Sequence, residues 1–202
     1  MALQGAQTLP VALLLGSFNI PGGLTPHPNG TLYLVDVGGH KVLAISPSGA
    51  VTTVAGSGTA GYRNGAGTSA VFSSPTALAL DAAGTALYCS DTGIHRICRI
   101  ALTTGGLVTP LVGTGLAGSQ DGAVATASLS FPRGLALENA TGALLIAEAG
   151  RVRRLSPNGT LLTTLAGNGS AVLVDGIGAG AAFVSPYRLS FSATGLLVAA
   201  GG

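Results

Sequence analysis

The chain has 202 residues, of which 47% are hydrophobic and only 8% charged, with 33 glycines, 10 prolines and a formal net charge of +2. Many apolar groups and few charges exclude a disordered chain, and so small a net charge makes no electrostatic case for nucleic acid or an anionic membrane. No apolar run approaches the ~18 residues of a membrane span.

The first element is the apolar run "VALLL" at 11–15. No Lys or Arg precedes it and Pro10 interrupts the approach, which argues against a secretory signal. It reads instead as a strand, because "VALLLGS" matches "VTTVAGS" 40 residues later. From Pro21 four strands follow: "PGGLTPH", "TLYLVD", "KVLAI" from Lys41 and "VTTVA" from Val51. The last runs into Gly56-Ser57-Gly58-Thr59-Ala60-Gly61, with Asp81 about twenty residues on. That spelling is the dinucleotide-binding fingerprint. Such a loop must open a long helix inside a βαβ unit. Here Gly65, Gly67, two adjacent serines and Pro75 leave room for one or two turns only.

Recurrence gives the better reading. The pair Gly56/Gly58 returns as Gly113/Gly115 and Gly167/Gly169, at offsets of 57 and 54. The turn Asn64-Gly65 returns as Asp121-Gly122 and Asp175-Gly176, and Pro75 as Pro132 and Pro186. In the third copy Val172 replaces the last glycine, and Glu138 stands where Asp81 stood. A single cofactor site needs no such copies. Third strands start at Lys41, Arg96 and Arg151, spaced by 55 and 55. Four short strands per unit, joined by Gly- and Asn-rich turns, predict the blades of an all-β propeller. The units are 21–55, 75–112 and 132–166, with partial strands at 11–15 and 186–200.

The stretch "VTTVAGSGTAGYRNGAGTSAVFSSPTALALDAAGTALYCSDTGIHRICRI" resembles the NHL-repeat family, in a subgroup with long glycine-rich linkers between blades. The resemblance runs from residue 11 to about 200. It implies a propeller, which in this family has about six blades, and says little about activity. Two arrangements are expected: a small four-bladed ring closed by a composite blade, or an open fragment of a larger ring. The second is preferred because "MALQGAQTL" is too irregular to supply a missing third strand.

The candidate recognition surface is the set of glycine-rich segments 56–74, 113–131 and 167–185, with Tyr62, Arg63, Asn64, Asp121 and Asp175 exposed on them. His40 and His95 share one repeat position in a hairpin turn, where the family commonly has Asn. They are the only metal candidates, and a structural role is expected of them. His27 falls in the turn "TPHPNG" and is expected in solvent. Asp36 with Lys41, Asp91 with Arg96 and Glu148 with Arg151 are expected to pair across hairpins. Arg151, Arg153 and Arg154 form the one basic cluster, with Arg133 and Arg188 at strand starts. Alternation along a strand splits that cluster between two faces. Cys89 and Cys98 lie symmetrically about the turn near Gly93, so either a cross-strand disulfide or two buried thiols is expected. Sequons at Asn29, Asn139, Asn158 and Asn168 fall in turns.

No catalytic constellation is legible. The expected function is a non-enzymatic scaffold that binds a protein or ligand through its inter-blade loops, without a cofactor. The alternatives are a propeller lyase or lactonase, with a central metal on His and acidic ligands, and an RNA-binding NHL domain. A protein partner is expected and nucleic acid is not, with association through open blade edges. The sequence assigns no compartment.

Overall fold

The computed structural model describes residues 18–192 and 195–200. All regular structure there is β apart from single 3-10 turns. The first blade consists of β1 (Pro21–Pro26), β2 (Leu32–Asp36), β3 (Lys41–Ile45) and β4 (Val51–Ala55). The second consists of β5 (Pro75–Leu80), β6 (Ala86–Asp91), β7 (Arg96–Ala101) and β8 (Leu107–Val112). A two-residue strand, β9 (Gly122–Ala123), precedes the third blade. That blade contains β10 (Gly134–Glu138), β11 (Ala143–Glu148), β12 (Arg151–Leu155) and β13 (Leu161–Ala166). β14 (Pro186–Ser192) and β15 (Gly195–Ala200) form the final sheet. The expected strand at 11–15 lies outside the described residues.

Every sheet is an antiparallel meander, strand pairing with next strand. The four sheets follow one another in an arc that does not close into a ring. This corrects the closed four-bladed alternative, because the last sheet has two strands among the described residues. Proline explains one recurring irregularity. Register shifts fall between Pro21 and Leu24, Pro75 and Ala77, and Pro186 and Arg188. Proline brings no N–H to the ladder, so the strand bulges where it opens.

Central strands are covered on both faces, so they are apolar almost throughout rather than alternating. β11 is buried along its whole length. One core lies between the first two blades and includes Val35, Val42, Phe72, Leu87 and Ile100. The next lies between the second and third and includes Ile97, Val112, Leu129, Ile146 and Leu162. Phe72 and Leu129 are equivalent residues of successive linkers and are fully buried. Each contributes roughly 2–3 kcal/mol by leaving water, and so wedges a linker between blades.

The linkers are not free loops. β9 pairs with β13, with Gly122 opposite Leu162, making a fifth strand on the third blade. Gly65 bridges Val108 of β8 in the same manner. Each of these linkers thus lies along the outer edge of the blade that follows it, which protects an edge strand from stray pairing. After Gly61 the chain makes two isolated bridges, Arg63–Val71 and Gly65–Val108, and one 3-10 turn, Gly67–Ser69, so no helix is present to support the dinucleotide motif. The glycines have another purpose. Gly56, Gly113 and Gly167 have φ of +106°, +105° and +92°, and a Cβ at each would meet the carbonyl oxygen of His40, His95 or Gly150 at 2.4, 2.3 or 2.3 Å. Only glycine fits both the left-handed backbone and the close approach.

Candidate functional site: the channel between the inner strands

β1, β5, β10 and β14 are the first strands of successive sheets and lie side by side at the centre of the arc. Small residues let them approach. A Cβ on Gly23 would lie 2.7 Å from the Ala77 Cα, and one on Gly134 would lie 3.0 Å from the Arg188 Cα. The four strands wall a cavity of about 650 Å³. That is within the usual range for a small-molecule site.

Its polar lining includes Thr76, Thr92, Arg133, Tyr187, Arg188 and Ser190. A hydroxyl network ties the second blade to the opening of the third. Thr76 Oγ1 shares hydrogen bonds with Ser90 Oγ at 3.0 Å and Thr92 Oγ1 at 2.7 Å. Ser90 donates to the Arg133 carbonyl at 3.0 Å and Thr92 to the Pro132 carbonyl at 2.5 Å. Arg133 is thereby held by its backbone while its side chain stays exposed. A second cavity of about 540 Å³, lined by Leu24, Leu78, Asp81, Leu137 and Phe191 among others, occupies the other end of the inner strands. The Asp81 carboxylate there is engaged by Thr85 and the Ala86 N–H.

The repeated acids do something other than expected. Asp36, Asp91 and Glu148 do stand opposite Lys41, Arg96 and Arg151 in the strand register. None forms an ion pair with that partner. Each is buried and accepts at least one backbone N–H from the segment just before a strand-opening proline, Asp36 also one from its own hairpin. Asp36 takes those of Asn19, Ile20 and Gly39. Asp91 takes that of Ser73 at 2.7 Å, and Glu148 that of Ser130 at 2.6 Å. An unpaired buried donor costs about 1–3 kcal/mol, more than a hairpin charge pair returns, so the acid serves the backbone. Burial pushes the Asp91 carboxyl up to about 7, against the Ser73 N–H and the Arg96 guanidinium. Its Oδ2 has no partner among the described residues. Burial also raises Glu148, against the Arg153 charge.

The bases turn outward over the glycine pairs. Arg96 lies 4.4 Å over the Tyr62 ring, donates to its hydroxyl at 2.7 Å, and donates to the Thr114 carbonyl at 2.6 Å. Arg151 donates to the Asn168 carbonyl. Arg153 is fully buried between Glu148 and Asp121, at 2.5 Å from each. Arg154 pairs with Glu138. The basic cluster is therefore engaged internally and forms no patch.

His40 and His95 occupy left-handed backbone, at φ of +51° and +55°. The Nδ1 of His40 accepts the Ser74 N–H, and that of His95 the Phe131 N–H, each at 3.1 Å. Both histidines thus join one blade to the residue before the next blade's proline. Gly150 takes this position in the third copy. Among the described residues no group of three or more His, Cys, Asp or Glu is placed to hold a metal. His27 is half-buried rather than free in solvent, and its Nε2 lies 3.0 Å from the Gly84 carbonyl of the next blade.

Cys89 and Cys98 are direct cross-strand partners, and both are buried free thiols. Burial drives Cys89 well up and Cys98 to about 12. Of the linker residues, Tyr62 and Arg63 are held by Arg96 and by the Ser69 carbonyl. Asp121 bonds Arg153 and Thr164. Burial works to raise its pKa, but the Thr164 and Arg153 donors outweigh it and hold the carboxyl below its ordinary value. Asn64 and Asp175 are exposed. These five sit on three linkers and do not converge. The channel lining has no local signature beyond the strand-opening arginines, because it is assembled from four distant strands.

No protein-family model matches the chain, and no curated protein matches it. Solved structures do. One is a protein of unknown function from Bacteroides thetaiotaomicron, 22% identical, with a TM-score of 0.72 over 89% of this chain and 44% of that one. A second is an auxiliary nutrient binding protein from the same organism, 20% identical, with a TM-score of 0.63 over 85% of this chain and 43% of that one. A third is a gluconolactonase from Xanthomonas campestris, 18% identical, with a TM-score of 0.60 over 91% of this chain and 55% of that one. These neighbours are β-propellers, and at such identities the likeness is one of fold. The chain is an arc of propeller blades that spans about half the length of the structures it matches. No helix among the described residues is long and apolar enough to cross a membrane.

Proposed function

We propose that the chain is a non-enzymatic propeller scaffold of the NHL kind that binds a small molecule in the channel between its inner strands. One observation carries the reading: four successive inner strands wall a cavity of about 650 Å³ whose polar groups converge from separate blades. The first two glycine-rich linkers lie on blade edges, which favours the channel over those loops as the binding surface. Similarity to a nutrient binding protein agrees with it. Exposed Leu173 and Ile177 on the third linker favour additional contact with a protein surface.

A thermal-shift screen of the purified chain against small polar molecules tests the proposal. Stabilisation by a saturating ligand without turnover supports it, and no shift with any member counts against it. Similarity to a gluconolactonase favours a second reading, a propeller hydrolase. Among the described residues the ionisable lining of the channel is Arg133, Arg188 and Tyr187, which suits ligand binding better than metal-assisted hydrolysis. Stoichiometric bound metal together with lactone turnover would favour the enzyme.

A further inference from the structure

We propose that the wall formed by the second, third and final sheets binds an oxyanion, a carboxylate or phosphate group of a small molecule, between Arg133 and Arg188. The inference rests on the channel being a ligand site and names the chemistry of its ligand. Four observations carry it.

The two arginines are rooted side by side. Arg133 follows Pro132 and immediately precedes β10, and Arg188 lies two residues after Pro186 within β14; both residues line the cavity. Gly134 permits this closeness, since a Cβ there would stand 3.0 Å from both the Arg188 Cα and the Tyr187 carbonyl oxygen.

Neither guanidinium is engaged. Among the described residues, Arg63, Arg96, Arg151, Arg153 and Arg154 each donate to a named acceptor. Among the same residues, no hydrogen bond or ion pair involves the side chain of Arg133 or Arg188. Arg99 is likewise unpaired there, but it lies outside the cavity lining.

No acid among the described residues lines the cavity. Glu148 borders a smaller adjoining cavity of about 140 Å³ with Arg133, but its carboxylate already accepts from Ser130 and Arg153. Two like charges at one cavity, with no counter-charge among the described residues, favour an anion from solution.

The donors suit an oxyanion. Each guanidinium presents a planar fork of N–H groups that matches carboxylate or phosphate oxygens bidentately. Tyr187 lines the same cavity and adds a phenol, able to donate or accept, to recognise a polar body beyond the anion. The volume accommodates a small molecule rather than a polymer.

Calorimetric titration of the whole chain at low ionic strength tests the inference, with inorganic phosphate, succinate and neutral glucose as separate probes. Phosphate or succinate is expected to bind, and the stronger of the two identifies which oxyanion fits. Arg133→Gln and Arg188→Gln are each expected to weaken that probe about tenfold, and the double variant to abolish measurable binding. Arg99→Gln removes the same net charge and is expected to change affinity less than about twofold. Both channel arginines are exposed and unpaired, so the variants should keep the parent's circular dichroism spectrum. Unchanged affinity in the double variant, equal weakening by Arg99→Gln, or binding of neither oxyanion would overturn the inference. Glucose binding without oxyanion binding would overturn it yet leave the ligand-scaffold reading standing.

Discussion

Asp91 and Arg96 stand opposite each other in the β6–β7 register and do not pair. Asp91 turns inward to accept the Ser73 N–H, while Arg96 turns outward onto Tyr62 and the Thr114 carbonyl. One hairpin thereby secures two different linkers: the acid holds the one arriving at its blade, and the base touches that linker at Tyr62 and the leaving one at Thr114.

This division gives Asp91 a measurable pH signature. Its folded pKa is raised to about 7 from an ordinary 3.8, so the native state binds the proton more tightly than the unfolded chain. Stability from this group is fully present below about 4, falls as pH rises toward 7, and is level above. Asp91→Asn copies the protonated form and removes that loss. Its stability relative to the parent should rise between pH 4.5 and 8 by on the order of 3 kcal/mol. Urea midpoints at the two pH values check this. Glu148 shifts in the same direction, but it titrates in both proteins and cancels. An equal midpoint difference at both pH values would refute the assignment.

Two glycine positions separate strain from collision. Gly49 has φ of +87° with nothing within 4 Å of where a Cβ would stand, whereas a Cβ on Gly113 would meet the His95 carbonyl oxygen at 2.3 Å. Gly49→Ala should cost about 1 kcal/mol from backbone conformation alone. Gly113→Ala should cost at least about 3 kcal/mol, because strands must also shift. Thermal denaturation of both variants measures the difference.

Arg153 anchors the third blade. Arg153→Met leaves Glu148 buried without its cation and should cost about 3–5 kcal/mol. Asp121→Asn should cost less than about 1 kcal/mol, since the Asp121 side chain is 48% exposed. The Asp121 pKa is held below its ordinary value. Its contribution is therefore present above about pH 4 and is lost as pH falls through the lowered pKa. Asp121→Asn should accordingly flatten the most acidic part of the stability profile, which a urea series from pH 2 to 5 reads out.

The cysteines should be inert in the folded protein. Cys98, with its pKa near 12, supplies almost no thiolate at pH 8 and is buried. Both thiols should react with an aromatic disulfide reagent at least about a hundredfold faster in denaturant than in native buffer. Mass spectrometry without reductant should find two thiols and no loss of two hydrogens.

Much of the fold is legible along the chain because each signal is local. The starts at Lys41, Arg96 and Arg151 coincide with the observed third strands, and the Cys89–Cys98 register follows from the symmetry of one hairpin. What the pattern obscures is tertiary. Gly122–Ala123 carries no strand signal of its own and becomes a strand only because Leu161–Ala166 offers an open edge. Opposite charges in one hairpin imply pairing until Ser73 and Ser130 bring buried N–H groups that need the acids more. The channel escapes local reading most completely. Thr76, Arg133 and Arg188 come from three blades, and nothing near any of them in sequence announces the others.

Ligand binding between the inner strands is tested most directly by backbone amide shift mapping, during titration with a ligand found by thermal shift. Shifts are expected at Gly23, Thr76, Gly134, Tyr187 and Leu189, with the outer strands Val51–Ala55, Leu107–Val112 and Leu161–Ala166 silent. Shifts confined to Tyr62, Asn64 and Asp175 on the linkers, with the inner strands unmoved, would be incompatible with a channel site.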